Sequence, residues 1–289
     1  LPFLFAGYKA GQQYYFYGKT KVYRDRLQME NPLAYPEGKS PGILPFYPLT
    51  AGISQLMMRR AMAAALDPGY KTVDLTLPSD TGVSCQFGPE DLVIIGMPVY
   101  AGRIPMVAVP RLSGLKGNGT PCILVATYGN RHYDDALVEM EDIAREHGFT
   151  VKGAAALVGR HTYGEIQTER PDGEDLKADA EFAKRAAASE AMKSTIPGSR
   201  PYKKEAVPGG KFKPLTSDAC VGCGICKRGC PVQAINDQFQ VNPEICISCF
   251  RCIRNCPVHA KNMDVEVYHA FAREFSSRLA ERRENEYYL

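Results

Sequence analysis

The chain has 289 residues, of which 45% are hydrophobic and 23% charged, and its formal net charge is +3. This composition predicts a packed globular protein with room for one large domain or two ordinary ones. The charge is too small and too scattered to indicate nucleic acid binding, and no stretch approaches the roughly 18 uninterrupted apolar residues of a membrane span.

Residues 1–41 carry an aromatic patch at positions 14–17, followed by a stretch rich in proline and glycine. No motif lies in this segment, and its first six apolar residues are too few for the core of a secretory signal. We therefore expect an N-terminal extension, or a partly ordered arm, ahead of the first domain.

Between residues 42 and 195, short apolar runs alternate with helical stretches. The apolar runs predict five strands, at 43–47, 71–77, 91–96, 122–126 and 150–158. The stretches between and after them predict helices at 55–66, 105–112, 133–147 and 174–194. Such alternation predicts an α/β domain with a parallel sheet covered by helices on both faces, and five strands favour the doubly wound, flavodoxin-like order.

Residues 196–214 are rich in proline and glycine, and are predicted to form a semi-rigid linker. Two cysteine runs of identical spacing follow within residues 215–263, and each run ends in Cys-Pro. The runs are Cys220-x-x-Cys223-x-x-Cys226-x-x-x-Cys230-Pro231 and Cys246-x-x-Cys249-x-x-Cys252-x-x-x-Cys256-Pro257. Together they contain eight of the ten cysteines of the chain, which indicates metal binding rather than disulfides and therefore a reducing cytoplasm.

The spacing of these runs is that of bacterial ferredoxins with two [4Fe–4S] clusters, in which the fourth cysteine of each run ligates the other cluster. Cluster I is therefore predicted to use Cys220, Cys223, Cys226 and Cys256. Cluster II is predicted to use Cys246, Cys249, Cys252 and Cys230. The alternative, a pair of zinc sites, fits poorly, because zinc favours Cys-x-x-Cys pairs a dozen or more residues apart or mixed Cys and His ligands. Cys85 and Cys122 lie outside the runs and are predicted to be a loop thiol and a core residue.

The last segment, residues 264–289, is predicted to be a helix. Its apolar side chains recur every four residues, at Val267, Phe271, Phe275 and Leu279. We expect this stripe to pack on one of the two domains; a helix that binds a partner protein is the alternative.

Two loops of the α/β domain resemble the loops of flavodoxins that contact a flavin ring. GMPVYAGRIP follows the third predicted strand at 96–105, and TYGNRHY follows the fourth at 127–133. Both leave the carboxyl ends of adjacent strands, where open α/β sheets bind ligands. The resemblance implies FMN, with tyrosines against the ring and glycines that expose backbone donors. The implied ring contacts are Pro98, Val99, Tyr100, Gly102, Tyr128, Gly129, Asn130 and Tyr133.

The loop that would bind the FMN phosphate matches less well. Flavodoxins carry a hydroxyl-rich turn between the first strand and the first helix, where this chain has FYPLTAGIS at 46–54. Thr50, Gly52 and Ser54 match that pattern, but two hydroxyl positions are Leu or Ala. Fewer phosphate donors predict weak FMN binding or none.

Taken together, residues 42–263 resemble a family of flavodoxin–ferredoxin fusion proteins, the EFR-type ferredoxins of anaerobic bacteria and archaea. The resemblance implies a cytoplasmic electron-transfer protein, in which a flavin couples two-electron donors to one-electron acceptors and redox proteins are the partners. One alternative is a flavin-dependent oxidoreductase that acts on a small substrate, with the clusters as its relay and His132 or His161 as acid or base. The other is a ferredoxin whose α/β domain holds no flavin and docks the clusters to a partner.

Overall fold

A computed structural model describes residues 14–23, 26–36, 73–78 and 84–289 of the chain, which fall into two units. The first unit contains an antiparallel hairpin of β1 (Tyr14–Tyr23) and β2 (Arg26–Pro36). The hairpin lies within the segment expected to be an extension, and our sequence analysis did not predict it. The aromatic patch at its start is typical of strands, and was the signal that could have indicated one.

The second unit contains the remaining described elements, which are listed here in chain order. They are β3 (Cys85–Gln86), β4 (Val93–Pro98), a 3-10 turn (Met106–Ala108), α1 (Val109–Leu112), β5 (Leu115–Lys116), β6 (Thr120–Tyr128), α2 (Ala136–Glu146), β7 (Phe149–Val158), α3 (Gly173–Ala188), β8 (Leu215–Thr216), α4 (Ile225–Arg228), α5 (Arg251–Arg254), β9 (Lys261–Asn262), α6 (Glu266–Arg278) and β10 (Glu286–Tyr288). The helices of the described part of the chain are all too short or too polar to span a bilayer.

The main sheet has the strand order β4-β6-β7-β10. Strands β4, β6 and β7 run parallel, so the predicted parallel sheet of an α/β fold is confirmed. Helix α2 packs on one face of the sheet, where Leu124 and Ala126 of β6 join its core, and α3 packs on the other face against Ile123. Burial on both faces explains why β4 and β6 are almost continuously apolar in sequence.

The first two of the five predicted strands are not found in the described sheets. The strand at 43–47, like the helix at 55–66, lies outside the described residues. The strand predicted at 71–77 is wrong where it can be compared, because the described residues 73–77 form an irregular segment with a bend. The carboxylate of Asp74 accepts the backbone N–H of Thr76 at 2.8 Å, and Arg111 donates to the Thr76 carbonyl at 2.6 Å. Side chains therefore take the hydrogen bonds that a neighbouring strand would need.

The C-terminal residues do not form one helix to position 289. Helix α6 ends at Arg278, and residues 279–289, here called the C-terminal strap, return to the main sheet and add β10 antiparallel to β7. Part of the predicted stripe packs on other elements: the ring centroid of Phe271 lies 4.9 Å from that of Phe212 and that of Phe275 lies 5.0 Å from that of His161, whereas Val267 is 64% exposed. Leu279 already belongs to the strap. The strap covers the free edge of β7, which would otherwise expose unpaired backbone groups.

Residues 196–214 do not behave as a free spacer. The fully buried carboxylate of Asp135, just before α2, accepts the backbone N–H groups of Ser199 and Lys203 at 2.9 and 2.6 Å. Ile196 and Phe212 are also buried at the two ends of the segment. The cysteine-rich region is therefore fastened to the α/β sheet both before it, by this segment, and after it, by the strap.

Candidate metal centre

The two cysteine runs fold alike. Each contains a four-residue helix, α4 in the first and α5 in the second, and the helices begin 26 residues apart. Left-handed backbone conformations recur with the same offset. The matching pairs are Gly222 with Ser248, Gly224 with Phe250, and Gln233 with His259, with φ between 53° and 73°. Alternating right- and left-handed residues turn successive N–H groups into a concave surface, which is a common setting of iron–sulfur sites.

The first cavity of this region brings together cysteines from both runs. It is lined by the first three cysteines of the first run, together with Cys256 from the end of the second. Pro257, Phe239 and Lys261 also line it. The four cysteines are the same four that the spacing assigns to cluster I.

The second cavity repeats the arrangement with the roles of the runs exchanged. Its cysteines are Cys246, Cys249 and Cys252 of the second run and Cys230 of the first. Within the described residues, no three His, Cys, Asp or Glu side chains converge closely enough to hold a single metal ion. The four cysteines of each set line one cavity, as the ligands of a [4Fe–4S] cube would.

The sulfur atoms accept backbone hydrogen bonds. The N–H of Ala234 lies 3.3 Å from Sγ of Cys230, and the N–H of Ser248 lies 3.4 Å from Sγ of Cys246. Donors of this kind stabilise negative charge on ligating sulfurs and help to set the potential of a cluster.

The protonation of these thiols depends on what fills the cavities. Burial raises the pKa of Cys249 to about 11 and that of Cys252 to about 12. Burial acts on Cys256 in the same direction, but hydrogen bonds from the backbone N–H groups of residues 258–261 outweigh it and lower its pKa. Thiols with raised pKa values keep their protons at neutral pH unless a bound metal replaces them. Iron in each cavity would supply that positive charge.

Two cations border the cavities, and they differ in their partners. Lys261 is 2% exposed, lines the first cavity and donates to Oγ1 of Thr216 at 2.5 Å and to the carbonyl of Phe239. Arg251 lines the second cavity, and its Nε and Nη1 are buried without a hydrogen-bond partner. Arg251 is half-buried, and leaving two shielded nitrogens of a cation without partners is costly, so an anionic cluster in the second cavity fits the residues that surround it. Sequence analysis missed Arg251; a charged residue inside a ligand loop was the available signal.

The second of the two flavodoxin-like loops is filled by side chains of this protein. Tyr128 and Tyr133 are 2% and 1% exposed and pack edge to face, with ring centroids 5.5 Å apart. The hydroxyl of Tyr133 lies 2.7 Å from both Glu286 Oε2 and the Tyr288 hydroxyl of the strap. Both rings therefore belong to the core and leave no face for a flavin.

Two further residues of that loop, Gly129 and Asn130, also lie against other parts of the protein. Asn130 is fully buried; its amide donates to the carbonyls of Leu279 and Glu281 at 2.9 and 2.7 Å, and its oxygen accepts the N–H of Arg283 at 3.1 Å. A Cβ on Gly129 would lie 2.3 Å from His161 Cδ2. Because the strap and His161 occupy this loop, it does not fit an isoalloxazine ring.

The first flavodoxin-like loop meets the cysteine region instead of an open groove. Pro98, Tyr100 and Cys249 line one small cavity at the end of β4, and burial raises the pKa of Tyr100 well above its usual range. Val99 packs against the core of the sheet. Gly102 sits in a tight turn at φ +94°, where a Cβ would lie 2.2 Å from Asp134 Oδ2. The three predicted phosphate contacts, Thr50, Gly52 and Ser54, lie outside the described residues.

Neither candidate histidine is placed for acid–base chemistry on a ring between these loops. Nδ1 of His161 accepts the N–H of Tyr163 at 2.8 Å, and burial lowers the pKa of His161 to about 4, so it stays neutral. Nδ1 of His132 accepts the N–H of Asp134 at 2.8 Å, and its ring stacks on Tyr133.

Comparison with known families identifies the first cysteine run. Residues 215–236 match the model of the 4Fe-4S binding domain, and this range contains the first four ligand candidates. The match supports an iron–sulfur, ferredoxin-like region that holds at least one [4Fe–4S] cluster and serves electron transfer. A search of curated proteins finds no match to the chain.

Proposed function

We propose that this chain is an electron-transfer protein that carries two [4Fe–4S] clusters. Cluster I would be held by Cys220, Cys223, Cys226 and Cys256, and cluster II by Cys246, Cys249, Cys252 and Cys230. The observation that carries this proposal is the lining of the two cavities, each of which combines three cysteines of one run with the last cysteine of the other. A [4Fe–4S] cluster supplies one-electron transfer when bound.

The chain contributes position and shielding to that chemistry. Since each run gives one ligand to the other site, the two clusters would lie close together, which favours electron exchange between them. Backbone N–H groups and the half-buried Arg251 provide positive potential near the sulfurs. No substrate pocket is needed for this function, which favours an electron carrier over the oxidoreductase alternative.

The α/β domain serves, in this proposal, as a rigid platform for the clusters. Arg111 donates through Nη1 to the carbonyl of Thr76 and through Nη2 to the carbonyl of Pro231, both at 2.6 Å. It thereby joins the edge of the α/β domain to the residue that follows Cys230. Together with residues 196–214 and the strap, this contact fixes cluster II near the carboxyl end of β4.

We also propose a descent from the flavodoxin–ferredoxin fusion family, with loss of the flavin. The parallel order β4-β6-β7 corresponds to the last three strands of the flavodoxin order 2-1-3-4-5. Packing and hydrogen bonds within the protein already occupy Tyr128, Asn130 and Tyr133. These contacts favour the flavin-free platform over an FMN-coupled protein. The cytoplasm as location and redox proteins as partners belong to the same proposal.

Composition of the anaerobically purified protein tests this function. We expect about eight irons and about eight acid-labile sulfides per chain, because each of two clusters contains four of each, and no flavin released on denaturation. Stoichiometric FMN would contradict the flavin-free platform. Bound zinc in place of iron and sulfide would contradict the electron-transfer function itself.

A further inference from the structure

One position breaks the symmetry between the two cysteine runs. Between the second and third cysteines, the first run carries Ile225 and the second carries Arg251 at the equivalent place, 26 residues later. Ile225 is 38% exposed. Arg251 instead points its Nε and Nη1 into the interior, where they are fully shielded from solvent and have no hydrogen-bond partner.

The surroundings of Arg251 indicate what its charge is for. The residue lines both the second cysteine cavity and the small cavity beneath Tyr100, so it lies where the α/β domain meets the second run. Two shielded guanidinium nitrogens without a partner favour an anion nearby, and a thiolate-bound iron cluster in the second cavity would supply one.

We infer that Arg251 acts as a charge-positioning residue that stabilises the reduced state of cluster II and so raises its reduction potential. The inference rests on the proposed two-cluster function. Reduction adds one negative charge to a cluster, and a buried cation favours that added charge more than a solvated one does. Cluster I has Ile225 at the equivalent position, and its cavity is bordered by Lys261, which keeps its charge while donating to the neutral acceptors of Thr216 and Phe239. Removal of the Arg251 charge should therefore shift one potential, whichever of the two clusters has the higher one.

A redox titration followed by electron paramagnetic resonance tests this inference in the intact protein. In Arg251→Gln, we expect one of the two cluster potentials to become more negative while the other stays at its wild-type value. The matched control is Arg254→Gln, which removes the same charge from an exposed position on the same helix and should leave both potentials unchanged. Unchanged potentials in Arg251→Gln, or equal shifts of both clusters, would overturn the inference.

Two further variants separate charge from packing. Ile225→Arg places a cation at the equivalent position of the first run, but this position is 38% exposed, so solvent should screen the charge and the potential of the other cluster should rise less than it falls for cluster II in Arg251→Gln. Arg251→Lys keeps the charge and should keep both clusters with potentials near those of the wild type. If Arg251→Gln loses cluster II, Arg251→Lys separates the two explanations. Retention of cluster II in the lysine variant supports a role for the charge. Loss of cluster II in both variants shows that only the shape of arginine matters and overturns the inference. Failure of the proposed function would appear earlier, as a wild-type protein without two clusters.

Discussion

Replacing Cys230 with serine is expected to destroy the cluster of the second cysteine run, although Cys230 belongs to the first run. The cavity that Cys230 lines contains Cys246, Cys249 and Cys252, and no other cysteine of its own run. A serine hydroxyl is a poor substitute for a thiolate ligand, so the single variant should retain about four irons per chain, the content of one cluster.

Pairs of substitutions identify the ligands of each cluster from the iron content alone, without assigning spectroscopic signals to either cluster. Cys230→Ser combined with Cys246→Ser should still retain about four irons, because both ligands serve one cluster. Cys230→Ser combined with Cys226→Ser should retain about none, because each cluster loses a ligand. If each run ligated its own cluster, the two results would be exchanged. Cys85→Ser, which changes a cysteine outside both cavities, is the control and should keep the full iron content.

Replacing Arg170 with methionine is expected to cause the largest loss of folding stability. Its guanidinium is 2% exposed and forms a bidentate ion pair with the carboxylate of Asp175, which is 3% exposed. It also donates to the carbonyl of Arg283 and to Oδ1 of Asn285 in the strap. Removing one partner of a buried pair typically costs about 3–5 kcal/mol. Asp175 keeps a second ion pair with Arg282 at 3.4 Å, so we expect a loss toward the lower end of that range.

The matched control is Arg160→Met, which breaks an ion pair with Glu165 at the surface. The two side chains of that pair are 31% and 75% exposed, so its loss should cost no more than about 1 kcal/mol. Urea denaturation gives the free energy of unfolding of both variants, and limited proteolysis reports on release of the strap. Equal destabilisation by the two substitutions would contradict the role of Arg170 as the anchor of the strap.

The cysteine spacing predicted the loops around the metal centre better than the resemblance predicted the flavin loops. The cysteine loops depend on residues close together in sequence, whereas the flavin loops depend on contacts with distant residues. Ligand loops such as Cys220–Cys226 are defined by spacing over a few residues, and the same spacing recurs in Cys246–Cys252 with the same backbone turns. The hydrogen bonds of the Asn130 side chain depend instead on strap residues about 150 positions later in the chain, whose carbonyls accept them. No local pattern of residues 127–133 reveals that these later residues occupy the loop.

Two of the errors in secondary structure have similar causes. The irregular segment at 73–77 follows from Asp74 and from a long-range contact of Arg111, neither of which changes the alternation of apolar and polar residues. The strap was read as helix because the apolar stripe of α6 extends to Leu279. Strand β10 has only three residues, too few for a period to be visible, and it forms because β7 offers an open edge.

Electron transfer by this chain is proposed to depend on two [4Fe–4S] clusters that the exchanged ligands hold close together. Reductive titration of the anaerobically purified wild-type protein, followed by electron paramagnetic resonance, tests it most directly. We predict an uptake of about two electrons per chain, one for each cluster, with spectra broadened by the magnetic interaction of two nearby reduced clusters. An uptake of about one electron, or two signals without any interaction between them, would contradict the claim.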